Sequence, residues 1–240
     1  MRPKLDLTVG YTYYSTTSEH RDEGKIVPWT RAAAWNKIKL LYQNINCDKI
    51  VVDDASHVPL APSEGWDTYR VNEDVGFNNE GARNLIVQLA NTKWVVLLDL
   101  DHYLKPVSID LLNTGFLDTL NVDTMYFLNK SYPVTEEWKG NTHGFQFNHN
   151  NILISKQLFM QHGGYKIYIP GYYGLDGTLL KNPSIKKSIL FEMEMEYIYY
   201  ENEEGYRDNI NRNMPEDIFK GRPELKYTPK FTEFMTWRKI

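Results

Sequence analysis

Apolar and polar positions along the first hundred residues follow a rhythm that switches between strand and helix. Residues 5–11 form a short apolar strand. Over about 30–46, Trp35, Ile38, Leu41, Tyr42 and Ile45 recur at spacings of three and four, which predicts a helix with one buried stripe. A second strand at 49–52 runs into Asp53, Asp54, Ala55 and Ser56, and a third at about 68–71 leads through a loop into a helix of about 80–91. Ala82, Leu85, Ile86, Leu89 and Ala90 line one face of that helix. The run 94–98 is apolar without interruption, as expected of a central parallel strand covered on both faces. Alternating strands and helices predict a doubly wound α/β sheet.

That rhythm stops near Lys105-Pro106, and the second half reads as mixed α and β. A helix is expected over 108–120, a strand over 124–128, short strands at 145–147 and 152–154, and a helix near 155–162. The turn Gly163-Gly164-Tyr165 and a loop over 170–177 then lead into a helix that Pro183 interrupts or ends. Residues 201–240 are polar, contain Pro215, Pro223 and Pro229, and predict an irregular C-terminal segment. The expected organisation is a single domain over 1–240, with one half at 1–106 and a second at 107–200.

Composition narrows the function. A net charge of −4 with 24% charged residues excludes a polybasic nucleic-acid arm and an acidic disordered tail. Hydrophobic residues at 42% and aromatics at 14% describe a folded protein rich in amphipathic rings. The single cysteine, Cys47, forms no internal disulfide, and no stretch approaches a membrane span of ~20 apolar residues, so a soluble, cytoplasmic protein is expected.

The sharpest chemistry is Asp99-Leu100-Asp101, which follows the most apolar strand. Two carboxylates two residues apart in extended backbone point to the same side, at the strand end where open α/β sheets bind ligands. Charge placed beside Leu97 and Leu98 requires compensation, which a hard divalent cation bridging to a phosphate supplies. A simple turn-capping role for either aspartate is the alternative. His102, His143 and His149 are further candidates to ligate the metal or touch a phosphate, although a lone histidine is more often structural, and Trp138, Tyr172 and Tyr173 are candidate stacking platforms or packing residues.

In order, type and spacing, Val51-Val52-Asp53-Asp54-Ala55-Ser56, then Asn72, Gly76, Gly81-Ala82-Arg83-Asn84 and Leu97-Leu98-Asp99-Leu100-Asp101 resemble family 2 glycosyltransferases of the GT-A fold. His149 to Ile154, Phe159, Gly163-Gly164-Tyr165 and Tyr173-Gly174-Leu175-Asp176 extend the resemblance across roughly 5–182. It implies a single GT-A domain, with a mostly parallel central sheet and helices on both faces. The implied activity is metal-dependent, inverting transfer of a sugar from a nucleoside-diphosphate sugar, with UDP as the expected nucleotide, to a hydroxyl acceptor.

The resemblance also distributes roles. Gly10, Tyr11 and Thr12 would receive the base and ribose, with Tyr11 either stacking on the base or packing in the core. Asp54 would accept from the base or ribose, or else form an Asx turn into Ala55-Ser56. Arg83 would meet the nucleotide and diphosphate, unless it is a solvated helix-face residue. Asp99 would stand beside the nucleotide and share a Mn²⁺ or Mg²⁺ with Asp101. Asp176, in a glycine-flanked loop, is the candidate general base, with helix capping as its alternative. Family members carry Glu-Asp where this chain has Leu175-Asp176. The acceptor is a glycan, a lipid-linked sugar or a modified base, the last in the manner of a phage-encoded enzyme acting on hydroxymethylated DNA. A nucleotidyltransferase is the rival, although 10–14 lacks its glycine-rich phosphate loop.

Overall fold

The computed structural model describes residues 3–14, 31–72, 78–130, 147–165, 177–198 and 236–240. Strands β1 (Leu7–Tyr13), β2 (Asp48–Asp53), β3 (Asp67–Val71) and β4 (Trp94–Leu98) appear in the order the apolar pattern predicts, with helices α1 (Arg31–Tyr42) and α2 (Asn79–Leu89) between them. β1 pairs in parallel with both β2 and β4, and β2 with β3. The chain therefore moves outward from β1 on one side, then returns to place β4 on the other, creating a switch point between β1 and β4.

Both faces of this half are packed. Leu7, Val9, Tyr11 and Tyr13 of β1 and Trp94, Val96 and Leu98 of β4 join α1 in one core. Val95 and Leu97 join Leu85 and Ile86 of α2 in the other. Period-two alternation thus splits an unbroken apolar strand between two cores.

The second half departs from expectation. It contains β5 (His102–Leu104), α3 (Pro106–Leu112), β6 (Thr124–Lys130), β7 (Phe147–Ser155), α4 (Lys156–Gln161), α5 (Gly177–Leu180), β8 (Lys186–Tyr197) and β9 (Trp237–Lys239). The described strands form one sheet in the order β5-β8-β6-β7-β4-β1-β2-β3-β9. Four of its eight neighbouring pairs are parallel and four antiparallel, so the sheet is mixed and not mostly parallel. The parallel expectation extrapolated the βα repeat of the first half, but β7 enters antiparallel beside β4.

The helix expected over 108–120 ends at Leu112. Gly115 takes a left-handed φ of 82° and a single 3-10 turn, Phe116–Thr119, follows. The strand expected at 152–154 is part of a nine-residue strand, β7, which begins at Phe147, the last residue of the strand expected at 145–147; residues 145 and 146 lie outside the described residues. β8 runs where no strand was expected, beside β6 in parallel with a bulge after Leu128. At the far edge, β9 pairs antiparallel with β3, so residues 237–239 of the C-terminal segment are regular.

Candidate functional site

The C-terminal ends of β1, β2 and β4 lie side by side, and each delivers part of the site. Along β1, the even residues face α2. Thr8 is hydrogen-bonded to Thr92 at 2.6 Å, and the Thr12 hydroxyl donates to Asn79 at the start of α2. Between them, Gly10 lets α2 approach the strand, since a Cβ there would overlap Ile86 Cγ2 and press Leu97 Cδ2 at 3.3 Å.

Tyr11 points the other way. Its ring is fully buried among Trp35, Tyr42 and Trp66, with centroids 5.9–6.3 Å away in edge-on geometry. Its hydroxyl donates to the His102 carbonyl at 2.9 Å and is hydrogen-bonded to the Tyr42 hydroxyl at 3.2 Å, while Leu104 N–H donates to Tyr42 at 2.9 Å. Burial pushes both phenols up, so they stay protonated. Tyr11 is thus packed in the core, with its hydroxyl bracing the β5 backbone at His102.

At the end of β2, the two aspartates divide their work. Asp53 is fully buried and accepts from Ser56 N–H and Leu60 N–H, each at 2.9 Å, and pairs with Arg70. Arg70 also donates to the Ser56 carbonyl at 2.8 Å. This knot holds Ala55 in the left-handed region, at φ 56°, a conformation that carries strain for any residue with a Cβ. The turn into Ser56 foreseen as the alternative role of Asp54 is thus made by Asp53. Asp54 instead accepts from the backbone N–H of Asn78, the N-cap of α2, at 2.5 Å. Its carboxylate is thereby fixed between β2 and the helix start, where the dipole favours an anion.

Beyond β4 the acidic pair is not extended. His102 N–H donates to the Asp99 carbonyl at 2.9 Å, closing a tight turn over 99–102. The turn, and not strand alternation, brings the side chains together: single ligand atoms of Asp99, Asp101 and His102 all lie within 4.8 Å of one another. His102 Nδ1 sits 2.5 Å from Asp101 Oδ1. Burial raises the Asp101 carboxyl, but the adjacent imidazole outweighs it and holds the group below its ordinary 3.8. Two carboxylates and an imidazole form a donor set suited to Mn²⁺, and the two oxygens alone suit Mg²⁺.

Arg83 lies behind this turn, not on a solvated helix face. Only 1% of its side chain is exposed, and Nη2 donates to Asp99 Oδ1 at 2.5 Å. Nη1 donates to the Asn150 carbonyl at 2.5 Å and reaches the Tyr165 hydroxyl at 3.4 Å. Burial opposes its charge, but Asp99 and Tyr165 hold the guanidinium protonated, above its ordinary value. The neighbouring Asn84 clamps the backbone of Tyr165, donating to its carbonyl at 2.8 Å and accepting from its N–H at 2.9 Å.

A contribution absent from the sequence reading comes from β7, where Asn151 Oδ1 accepts from Asp99 N–H at 2.6 Å. An asparagine opening the apolar run 152–154 is the signal that marks it. The structure thus gathers Thr12, Asp54, Asp99, Asp101 and His102 at adjoining strand ends, with Arg83 reaching Asp99 from α2. Asp176, His143, Trp138, Tyr172 and Tyr173 lie outside the described residues, as does the side chain of His149. No helix among the described residues is long and apolar enough to cross a membrane.

No family profile matches the sequence, and neither does any curated protein. Among solved structures, the chain is similar to GalNAc-T7, determined with UDP, GalNAc and Mn²⁺, at 13% identity and a TM-score of 0.50. The match covers 90% of this chain but only 46% of that one, so this chain spans about half the length of that structure. At that identity the likeness speaks to architecture alone: the chain shares a GT-A-like α/β fold with that structure, and it carries an Asp-Asp-His group after β4.

Proposed function

We propose that this protein is a metal-dependent glycosyltransferase that moves a sugar from a nucleoside-diphosphate sugar, with UDP as the nucleotide, to a hydroxyl acceptor. One observation carries the reading: the turn after β4 converges two carboxylates and an imidazole at the switch point of a GT-A-like sheet. The similarity to a glycosyltransferase solved with UDP and Mn²⁺ supports it.

In this reading Asp99, Asp101 and His102 hold a Mn²⁺ or Mg²⁺ ion. When bound, the cation supplies Lewis-acid stabilisation of the diphosphate leaving group. Asp54, fixed at the start of α2, orients the base or ribose as a hydrogen-bond acceptor. Asp176 takes the proton from the acceptor hydroxyl, whose oxygen attacks the anomeric carbon. The bond from that carbon to the diphosphate oxygen breaks, its electron pair leaves with the nucleoside diphosphate, and the centre inverts.

The test is release of nucleoside diphosphate from a panel of nucleotide sugars with Mn²⁺, offered glycan, lipid-linked and hydroxymethylated-DNA acceptors. Asp99→Asn and Asp101→Asn are expected to abolish release while far-UV dichroism stays native, and EDTA to mimic them. Full activity in EDTA, or a wild-type rate in Asp101→Asn, overturns the reading.

A further inference from the structure

The resemblance implies that Arg83 meets the diphosphate, and its contacts in the fold point to a task within the protein as well. Its side chain is 99% covered, and both Nη atoms are engaged, with Asp99 Oδ1, with the Asn150 carbonyl and, at longer range, with the Tyr165 hydroxyl. The guanidinium thus ties α2 to the turn after β4 and to β7. Asn151, fully buried one residue beyond Asn150, grips the same aspartate from its backbone side. Asp99 is held at two points, its carboxylate by Arg83 and its N–H by Asn151.

This arrangement is poor for stability. Arg83 Nε and Asn151 Nδ2 are buried with no hydrogen-bond partner among the described residues. Each orphaned buried donor is a net cost to the fold. An apolar pair of similar volume would pack without that loss. A buried cation retained at such a cost, with one prong of its fork on a carboxylate of a candidate metal-ligand group and the other on the β7 backbone, fits the outer layer that orients metal ligands.

We propose that Arg83 and Asn151 are positioning residues that lock Asp99 in its ligating orientation, Arg83 acting through Asp99 and not on the phosphates. The proposal rests on the glycosyltransferase reading only for what the bound cation is used for. Its test needs the metal alone. Arg83→Lys keeps the charge but cannot reproduce a planar fork, so electrostatic repulsion of a cation is unchanged and only geometry is lost.

Mn²⁺ binding, followed by the free-ion EPR signal, is measured in wild type, Arg83→Lys, Asp99→Asn and the double variant. Arg83→Lys is expected to weaken Mn²⁺ binding about tenfold. In the Asp99→Asn background it is expected to change affinity less than twofold, because the group it orients no longer carries the ligating charge. Should Arg83→Lys fail to fold by thermal melt, Asn151→Ala takes its place in the same cycle with the same expectation.

Affinity within twofold of wild type in the single variant, or losses that add fully in the double variant, overturns the proposal. So does a wild type that binds no Mn²⁺. Failure of the transferase reading looks different: no donor releases nucleoside diphosphate, while the Mn²⁺ cycle still decides whether Arg83 and Asn151 position Asp99.

Discussion

Gly10→Ala tests the junction on which the site is built. The even residues of β1 run along α2, and a methyl at position 10 meets Ile86 Cγ2 inside ordinary contact distance, with Leu97 Cδ2 at 3.3 Å on its other side. Both neighbours are fully buried, so neither can swing into solvent. Overpacking of a closed core costs about 1–3 kcal/mol. Replacing a strand glycine by alanine recovers roughly 0.5–1 kcal/mol of backbone entropy. The net loss is then about 1 kcal/mol, between limits of about 0 and 2.5, and 1 kcal/mol lowers Tm by roughly 2–4 °C in a domain of this length. Ile86→Leu removes the colliding Cγ2 methyl while keeping the side-chain volume, so the double variant is expected to regain at least half of the loss. Differential scanning calorimetry of the two singles and the double measures this. An unchanged or raised Tm in Gly10→Ala refutes the packing argument. Restored stability with persistently weak binding of UDP and Mn²⁺ in the double variant would instead mean that position 10 meets the nucleotide directly.

Asp53→Ala removes the carboxylate that three donors share and leaves Arg70 without its buried partner. A loss of about 3–5 kcal/mol in urea unfolding is expected, and a loss below 1 kcal/mol would disprove the knot. Asp176→Asn is expected to slow transfer by ~10²–10⁴ with donor affinity intact if the residue is the base. A lower Tm with normal turnover would make it a helix cap, worth ~1 kcal/mol. Burial pushes the Cys47 thiol up to about 11 from an ordinary 9.0, so the neutral thiol stabilises the fold at neutral pH and that contribution fades as pH rises past 9.0. At pH 8 iodoacetamide is expected to label the native protein at least about a hundredfold more slowly than the urea-unfolded chain, and equal rates would refute this.

The parallel half was legible because its signals are local. A run such as 94–98, apolar at every position, has few solutions other than a strand with a core on each face, and α1 and α2 carry their stripes at helical spacing. The order of short motifs from Asp53 to Asp101 pointed to the GT-A-like fold for the same reason: Asp53-Asp54, Gly81 to Asn84 and Leu97 to Asp101 sit at a strand end or helix start that the chain itself marks. β8 also left a signal, the Glu-Met-Glu-Met-Glu alternation over 192–196, whose methionines are buried while its glutamates are not. Tertiary structure alone decided the direction of β7 and the seating of β9 against β3, pairings between residues far apart in sequence that no local pattern encodes. It also decided what each polar residue does. Asp53 and Asp54 are adjacent and chemically identical, yet one ties a loop and the other braces a helix start. Arg83 reads from sequence as a phosphate ligand or a solvated residue, but β7 and the turn after β4 enclose it and turn its charge onto Asp99. Sequence fixes which chemical groups a chain carries, whereas which of them meet is a matter of long-range packing, where a side chain's role depends on the partners that arrive from elsewhere in the fold.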